Sequence, residues 1–295
     1  MGNGFQIKDR GIQILGLLKQ YGPLSFWGLQ SMIDPPMKDR RLYGSLAILV
    51  KHGLITKRLE RCLRASGVFY QLNQDEEIQK QIASVLKCSA NELRQPYFRN
   101  RELIHTEACA LLVYKLSRIF PGARVLRDFE FYHNSFVQEI LLTDRHDYEF
   151  QPDVLLTFQG NAGSPRVSVA FEIERSKKSE RKLIAKLHKY ANGTMLDGVV
   201  YICDSKQVSE PVRRAFKTKI EPKAWRINHY GEYFFLFSNE PDGLISEEKK
   251  MFSSGMTPIS FVAWIAQLRG VPLEQRRNQL LKVVAERCYN LENRA

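Results

Sequence analysis

Between Gln151 and Tyr190 the chain reads QPDVLLTFQGNAGSPRVSVAFEIERSKKSERKLIAKLHKY. PDVLLTF and RVSVAFEIE read as two apolar strands. A third run, DGVVYICD (197–204), is apolar throughout, as in a strand buried on both faces. Strands of that kind need helices to cover them. Residues 101–204 accordingly read as helix, strand, strand, strand, helix, strand, a short mixed sheet in an α/β-type (α+β) organisation.

Acids mark the ends of these strands. Side chains alternate across a strand, so Val167, Val169, Phe171 and Ile173 share one face. Ser168, Ala170, Glu172 and Glu174 share the other. Two neighbouring carboxylates repel and raise one another's pKa. A divalent cation removes that conflict, and hard oxygen donors suit Mg²⁺ or Mn²⁺. Asp153 opens a strand of the same sheet and reaches the same ion if the two strands are neighbours. The metal set read from the sequence is therefore Asp153, Glu172 and Glu174.

A basic helix follows. Lys178, Lys182, Lys186 and Lys189 read as one stripe, with Leu183, Ile184, Leu187, Tyr190 and Ala191 on the opposite one. The apolar stripe is expected to pack on the sheet, leaving the basic stripe to face phosphate. Acids that hold a metal beside lysines that hold a polyanion suit metal-assisted phosphodiester cleavage. The plain alternative is a solvated strand face, a charged helix surface, and an Asp153 that only ends a turn after Pro152.

The N-terminal third has a different pattern. GIQILGLLKQYG reads as a helix stopped by Gly22-Pro23, and LSFWGLQSMI as a second helix capped by Ser25. A third helix is expected over DPPMKDRRLYGSLAILVKHG, with Asp34 as N-cap, Pro35 in the first turn and Gly53 past the end. Leu42, Leu46, Leu49 and Val50 fall on its inner side. Arg40, Arg41, Gly44, Ile48 and Lys51 fall on its outer side. Two strands follow, LITKRLERCL and GVFYQL, joined near residues 65–67. Three helices and a basic hairpin form the pattern of a winged helix-turn-helix, which lays its third helix in the DNA major groove. Residues 1–73 carry eleven Lys and Arg against four Asp and Glu. Arg40, Arg41, Lys51, Lys57 and Arg58 are the expected DNA contacts, joined by Lys178 and Lys182 of the basic helix.

The remaining segments read as a connecting helix over 75–100, a helix over 101–120 and a strand RVLRDFEFY with Val125, Phe129 and Phe131 apolar. An edge strand is expected at EYFFLFS and two closing helices over 258–268 and 273–290. The domains are read as 1–75 (winged helix), 76–100 (linker), 101–240 (catalytic) and 241–295 (helical extension).

The chain has 295 residues and a formal net charge of +12, which favours a polyanionic partner. No apolar run reaches the ~20 residues a bilayer requires. The N-terminus lacks an apolar signal core, and Gln6 breaks the myristoylation pattern that Gly2 suggests. Five cysteines, odd in number and scattered, point to a reducing cytoplasm rather than to a zinc cage or a disulfide framework.

The order PD, FEIE, helix resembles the PD-(D/E)XK nuclease core, a restriction-endonuclease-like fold. In that superfamily the Asp and the first acid ligate Mg²⁺, and the third motif position is usually Lys. Glu174 stands there instead. Lys177, Lys178 and Lys186 are the candidates to take its place, and Lys186 is assigned that catalytic role with Asp153, Glu172 and Glu174. A closer resemblance is to the replication-relaxation family, including MobC-type plasmid mobilisation relaxases. It rests on the winged helix, His105, Pro152-Asp153, Glu172-Ile173-Glu174-Arg175 and Lys186-Leu187-His188-Lys189-Tyr190, and covers roughly residues 10–205.

That resemblance implies Mg²⁺-dependent nicking of DNA at a plasmid or mobile-element origin, double-stranded with a local single strand. Mobilisation accessory or coupling proteins would be partners. Two other readings stand beside it: a non-catalytic DNA-binding replication or transcription regulator, and a restriction-like double-strand endonuclease. Tyr190 is a packing residue or a transesterification nucleophile. A water nucleophile is preferred.

Overall fold

A computed structural model describes residues 7–35, 37–62, 65–95, 102–131, 134–141, 151–159, 167–192, 196–203, 205–220, 234–238, 250–253, 259–260 and 265. The chain divides into two compact units, Met1–Tyr114 and Lys115–Ala295.

In the first unit, α1 (Asp9–Tyr21) buries Ile14, Leu15 and Leu18. Strand β1 (Leu24–Ser25) leads into α2 (Phe26–Met32), where the Ser25 side chain accepts a hydrogen bond from the Gly28 N–H, 3.1 Å. α3 (Asp39–Lys51) buries Leu42, Leu46 and Leu49, with Val50 half-buried. It starts five residues later than the expected Asp34 cap. Asp34 and Pro35 each precede a proline, which disfavours the helical region at both positions. The Asp34 carbonyl accepts instead from Gln13 Nε2, 2.8 Å. Gly53 has φ 69°, the left-handed conformation expected just past this helix.

β2 (Ile55–Cys62) and β3 (Ala65–Leu72) form an antiparallel hairpin, and β1 pairs with β3, giving the order β1-β3-β2. The strands stay paired out to Cys62 and Ala65, so residues 65–67, where the join was expected, belong to β3. The element order α, β, α, α, β, β is that of a winged helix-turn-helix. α4 (Glu76–Leu86) follows, its first N–H groups held by the Asp75 carboxylate. α5 (Leu103–Ile119) contains the boundary between the two units.

The second unit is built on a mixed sheet. Its strands are β4 (Arg124–Arg127), β5 (Val154–Phe158), β6 (Val167–Glu174), β7 (Gly198–Cys203), β8 (Phe234–Ser238), β9 (Lys250–Ser253) and β10 (Ile259–Ser260), in the order β10-β9-β8-β7-β6-β5-β4. β6, β7 and β8 run parallel and the other neighbours antiparallel. β8 therefore lies inside the sheet, not at the expected edge.

Strand β4 is shorter than expected. A 3₁₀ turn over Asp128–Glu130 takes Phe129 and Phe131 out of it, because the Glu130 carboxylate accepts the Arg127 N–H at 2.8 Å. α6 (Ser135–Leu141) had no counterpart in the sequence reading. Ile259 and Ser260 are extended, not helical, at the start of the first expected closing helix. The second, over 273–290, lies outside the described residues.

One face of this sheet is covered by α7 (Glu180–Asn192) and α8 (Lys206–Ala215). Leu155, Ala170, Val199 and Cys203 pack there with Leu183, Leu187 and Ala191 of α7 and Val212 of α8. All the side chains of β5, β6 and β7 are buried. Leu187, fully buried, fixes α7 on the sheet. Leu187→Ala is expected to destabilise this unit by about 2–5 kcal/mol, read as a lower urea midpoint with unchanged slope.

Candidate acid–lysine site

The antiparallel register of β5 and β6 sets Val154 against Phe171. One residue earlier the ladder continues: the Asp153 N–H donates to the Phe171 carbonyl at 3.0 Å. Asp153 therefore stands opposite Glu172, on the face of the sheet that α7 covers. Its Oδ2 accepts the Ile173 N–H at 2.6 Å, which fixes the carboxylate between the two glutamates. Glu174, two residues along β6, projects to the same side. The three acids of the sequence reading thus meet at one end of two adjacent strands.

α7 supplies their countercharge. Lys186 Nζ donates to Glu172 Oε2 at 2.5 Å, and the Tyr190 hydroxyl donates to Glu172 Oε1. Lys178, two residues before α7 begins, donates to Glu174 Oε1 at 2.5 Å. This corrects the expected basic stripe. Lys186 turns inward onto Glu172, Lys178 pairs with Glu174 while its side chain stays 39% exposed, and Lys189 is half-buried. Lys182 is exposed, as are Lys177 and Arg181.

The correction follows from helical geometry. Lys186 and Tyr190 are four residues apart and lie about 40° from one another on the helix, not on opposite stripes. That i,i+4 pair, directly after a strand ending in two acids, was the signal in the sequence for this contact.

Glu172 is 1% exposed. Burial pushes its carboxyl up to about 7, against the pull of Lys186, and the charges of Asp153 and Glu174 add to the rise. Burial also works to lower Lys186, but the charge of Glu172, then that of Asp153, outweighs it and holds the amine above its ordinary value. Lys186 is thus a cation shared by several acids. Burial and the neighbouring Glu172 push the Tyr190 phenol well above its ordinary value, so it remains a donor. A fully buried phenol held on a carboxylate is not placed to attack a phosphate.

The three carboxylates share one face of the sheet and are the hard oxygen donors a divalent cation takes, but as they stand both glutamates are engaged by lysines rather than gathered around one point.

In the first unit, Arg40, Arg41 and Lys51 are exposed on the outer side of α3, with Gly44 and Ile48. Lys57 is exposed on the hairpin. Arg58 is half-buried, its Nη1 donating across the strands to Gln71 Oε1 at 2.9 Å. His105, in the first turn of α5, has its Nε2 3.7 Å from Cys109 Sγ. No helix among the described residues is long and apolar enough to cross a membrane.

Fold and site together define a mixed α+β protein with a helical, hairpin-bearing first unit and a mixed sheet carrying an acid–lysine cluster. No family model and no curated protein matches the chain. A solved structure of Bacillus subtilis PadR in complex with operator DNA is similar over 38% of this chain and 70% of that one, at 20% identity and a TM-score of 0.24. A likeness that weak carries no functional weight.

The folded Glu172 carboxyl holds its proton more tightly than the unfolded one. Its contribution to stability is complete below the ordinary carboxylate range and is lost as pH rises to about 7. With chelator present, the wild type is expected to lose about 3 kcal/mol relative to Glu172→Gln between ~pH 4 and 8. Urea unfolding across that range checks it, and parallel curves for the two proteins would contradict it.

Proposed function

We propose that the chain is a Mg²⁺- or Mn²⁺-dependent DNA nickase acting at a plasmid or mobile-element origin. The observation that carries this reading is the meeting of Asp153, Glu172, Glu174 and Lys186 at one end of β5 and β6. Asp153, Glu172 and Glu174 would hold the cation. When bound, it polarises a phosphoryl oxygen and acidifies a water.

The chain's own groups do the rest. Lys186 takes the place left by Glu174 at the third motif position: it neutralises Glu172 and fixes its orientation. The Tyr190 hydroxyl fixes the second oxygen of Glu172. The Asp153 carboxylate is held in place by the Ile173 N–H. In the hydrolysis, the water oxygen bonds to phosphorus, one phosphorus–oxygen ester bond breaks, and the leaving oxygen takes up a proton. α3 and the hairpin would choose the site through Arg40, Arg41, Lys51, Lys57 and Arg58. Lys182, with Lys177 and Arg181, offers exposed cations near the cut.

A second reading, a non-catalytic DNA-binding regulator, is favoured by one observation. Both oxygens of Glu172 are already engaged, by Lys186 and Tyr190, so the cluster can be satisfied without an ion.

Supercoiled origin DNA with Mg²⁺ separates the readings. Open-circular product from the wild type, reduced at least about a hundredfold in Asp153→Asn and Glu172→Gln, is the expected result. Linear product would favour a double-strand endonuclease, and no product the regulator. For binding, Arg40→Ala with Lys51→Ala is expected to weaken affinity and to reduce the slope of log K against log salt by about 2. An unchanged slope would move the DNA surface off α3.

A further inference from the structure

The outer face of α3 borders a cavity of about 350 Å³ in the first unit. Gly11 of α1 and Leu49 of α3 lie at its buried floor, and Ile7 and Ile48 form apolar walls. Lys8, Arg10 and Arg41, all exposed, surround its mouth. The volume lies at the lower end of the ~300–1,000 Å³ range of small-molecule sites. An apolar interior under three cationic side chains is complementary to a molecule with an apolar body and an anionic end.

Gly44 leaves room along the α3 side of this space. It lines the cavity in the interior of α3, where glycine costs about 1 kcal/mol relative to alanine. A Cβ built there meets nothing within 4 Å, so no neighbour in the fold requires the glycine.

We propose that this cavity binds a small organic anion, an aromatic or aliphatic carboxylate whose apolar body lies over Gly11 and Leu49 and whose charge meets Arg41, Arg10 and Lys8. Arg41, Gly44 and Ile48 also belong to the face assigned to DNA, so an occupant would compete with DNA at α3. That consequence rests on the DNA reading; the site itself does not.

Titration calorimetry of the full chain with naphthalene-1-carboxylate and with neutral naphthalene-1-methanol tests the site without DNA. Saturable one-to-one binding of the carboxylate is expected. Gly44→Leu, which fills the cavity, should weaken both probes by about tenfold or more. Arg41→Gln keeps the cavity and should weaken the carboxylate by up to about fivefold while leaving the alcohol within about twofold. Thermal unfolding verifies that each variant is folded, and Arg41→Gln carries the test if Gly44→Leu is not. No saturable binding at millimolar probe, or carboxylate affinity unchanged in the folded variants, overturns the proposal. Failure here leaves the nicking assay unaffected, and failure of nicking leaves this binding unaffected.

Discussion

Lys186 reaches from α7 to a glutamate that water does not touch, and the arrangement of the second unit's chemistry depends on that contact. A carboxylate at the position of Glu172, buried beneath a helix, would take up a proton unless a cation came with it. The cation can be supplied only if α7 lies on β6 in one register, and apolar packing sets that register. Leu183, Leu187 and Ala191 meet Ala170, Val199 and Cys203, which places Lys186 over one oxygen of Glu172 and Tyr190 over the other. Asp153 arrives from another strand. The β5–β6 ladder delivers it opposite Glu172, and the Ile173 N–H holds it there.

Energetically, the cluster is a burden that the packing around it supports. Burying an ion pair removes two charges from water, and their attraction seldom exceeds that loss by much. An apolar pair of similar volume would serve stability as well or better. Burial is what chiefly raises the Glu172 carboxyl, and gathering three acids on one sheet face adds repulsion to it. Displaced carboxyls of this kind gather at sites that bind cations or move protons. That is the physical ground for treating the acids as chemistry rather than decoration, and it stands apart from any resemblance in sequence order.

The parts of the fold legible in the sequence were those governed by local pattern. Alternation in VSVAFEIE put Glu172 and Glu174 on one face, and the apolar run GVVYIC fixed a buried neighbour for them. Ser25 and Gly53 announced a helix start and a helix end through their own backbone preferences. What was not legible depended on partners distant in sequence. β8 reads as an edge strand because nothing near it announces β9 and β10. Phe129 and Phe131 alternate as if in a strand, but the Glu130 carboxylate captures the Arg127 N–H and bends the chain away. The basic stripe of α7 was drawn from charge alone. Two of its lysines proved to be oriented by buried acids, a preference that no helical projection contains.

That reorientation changes how the chain's positive charge can be used. Lys186, buried on Glu172, is not available to a phosphate backbone, so on the DNA reading the second unit would offer Lys177, Lys178, Arg181 and Lys182. The first unit, with its excess of basic residues and with Arg40, Arg41 and Lys51 exposed along one helix, would then carry most of the electrostatic attraction. A division of this kind suits a protein that holds DNA firmly through one unit and engages a single phosphodiester through the other. It also bears on the nucleophile. Tyr190 is consumed in positioning Glu172 and is sealed beneath α7, so a covalent link through it would require the helix to leave the sheet and give up the packing of Leu183 and Leu187.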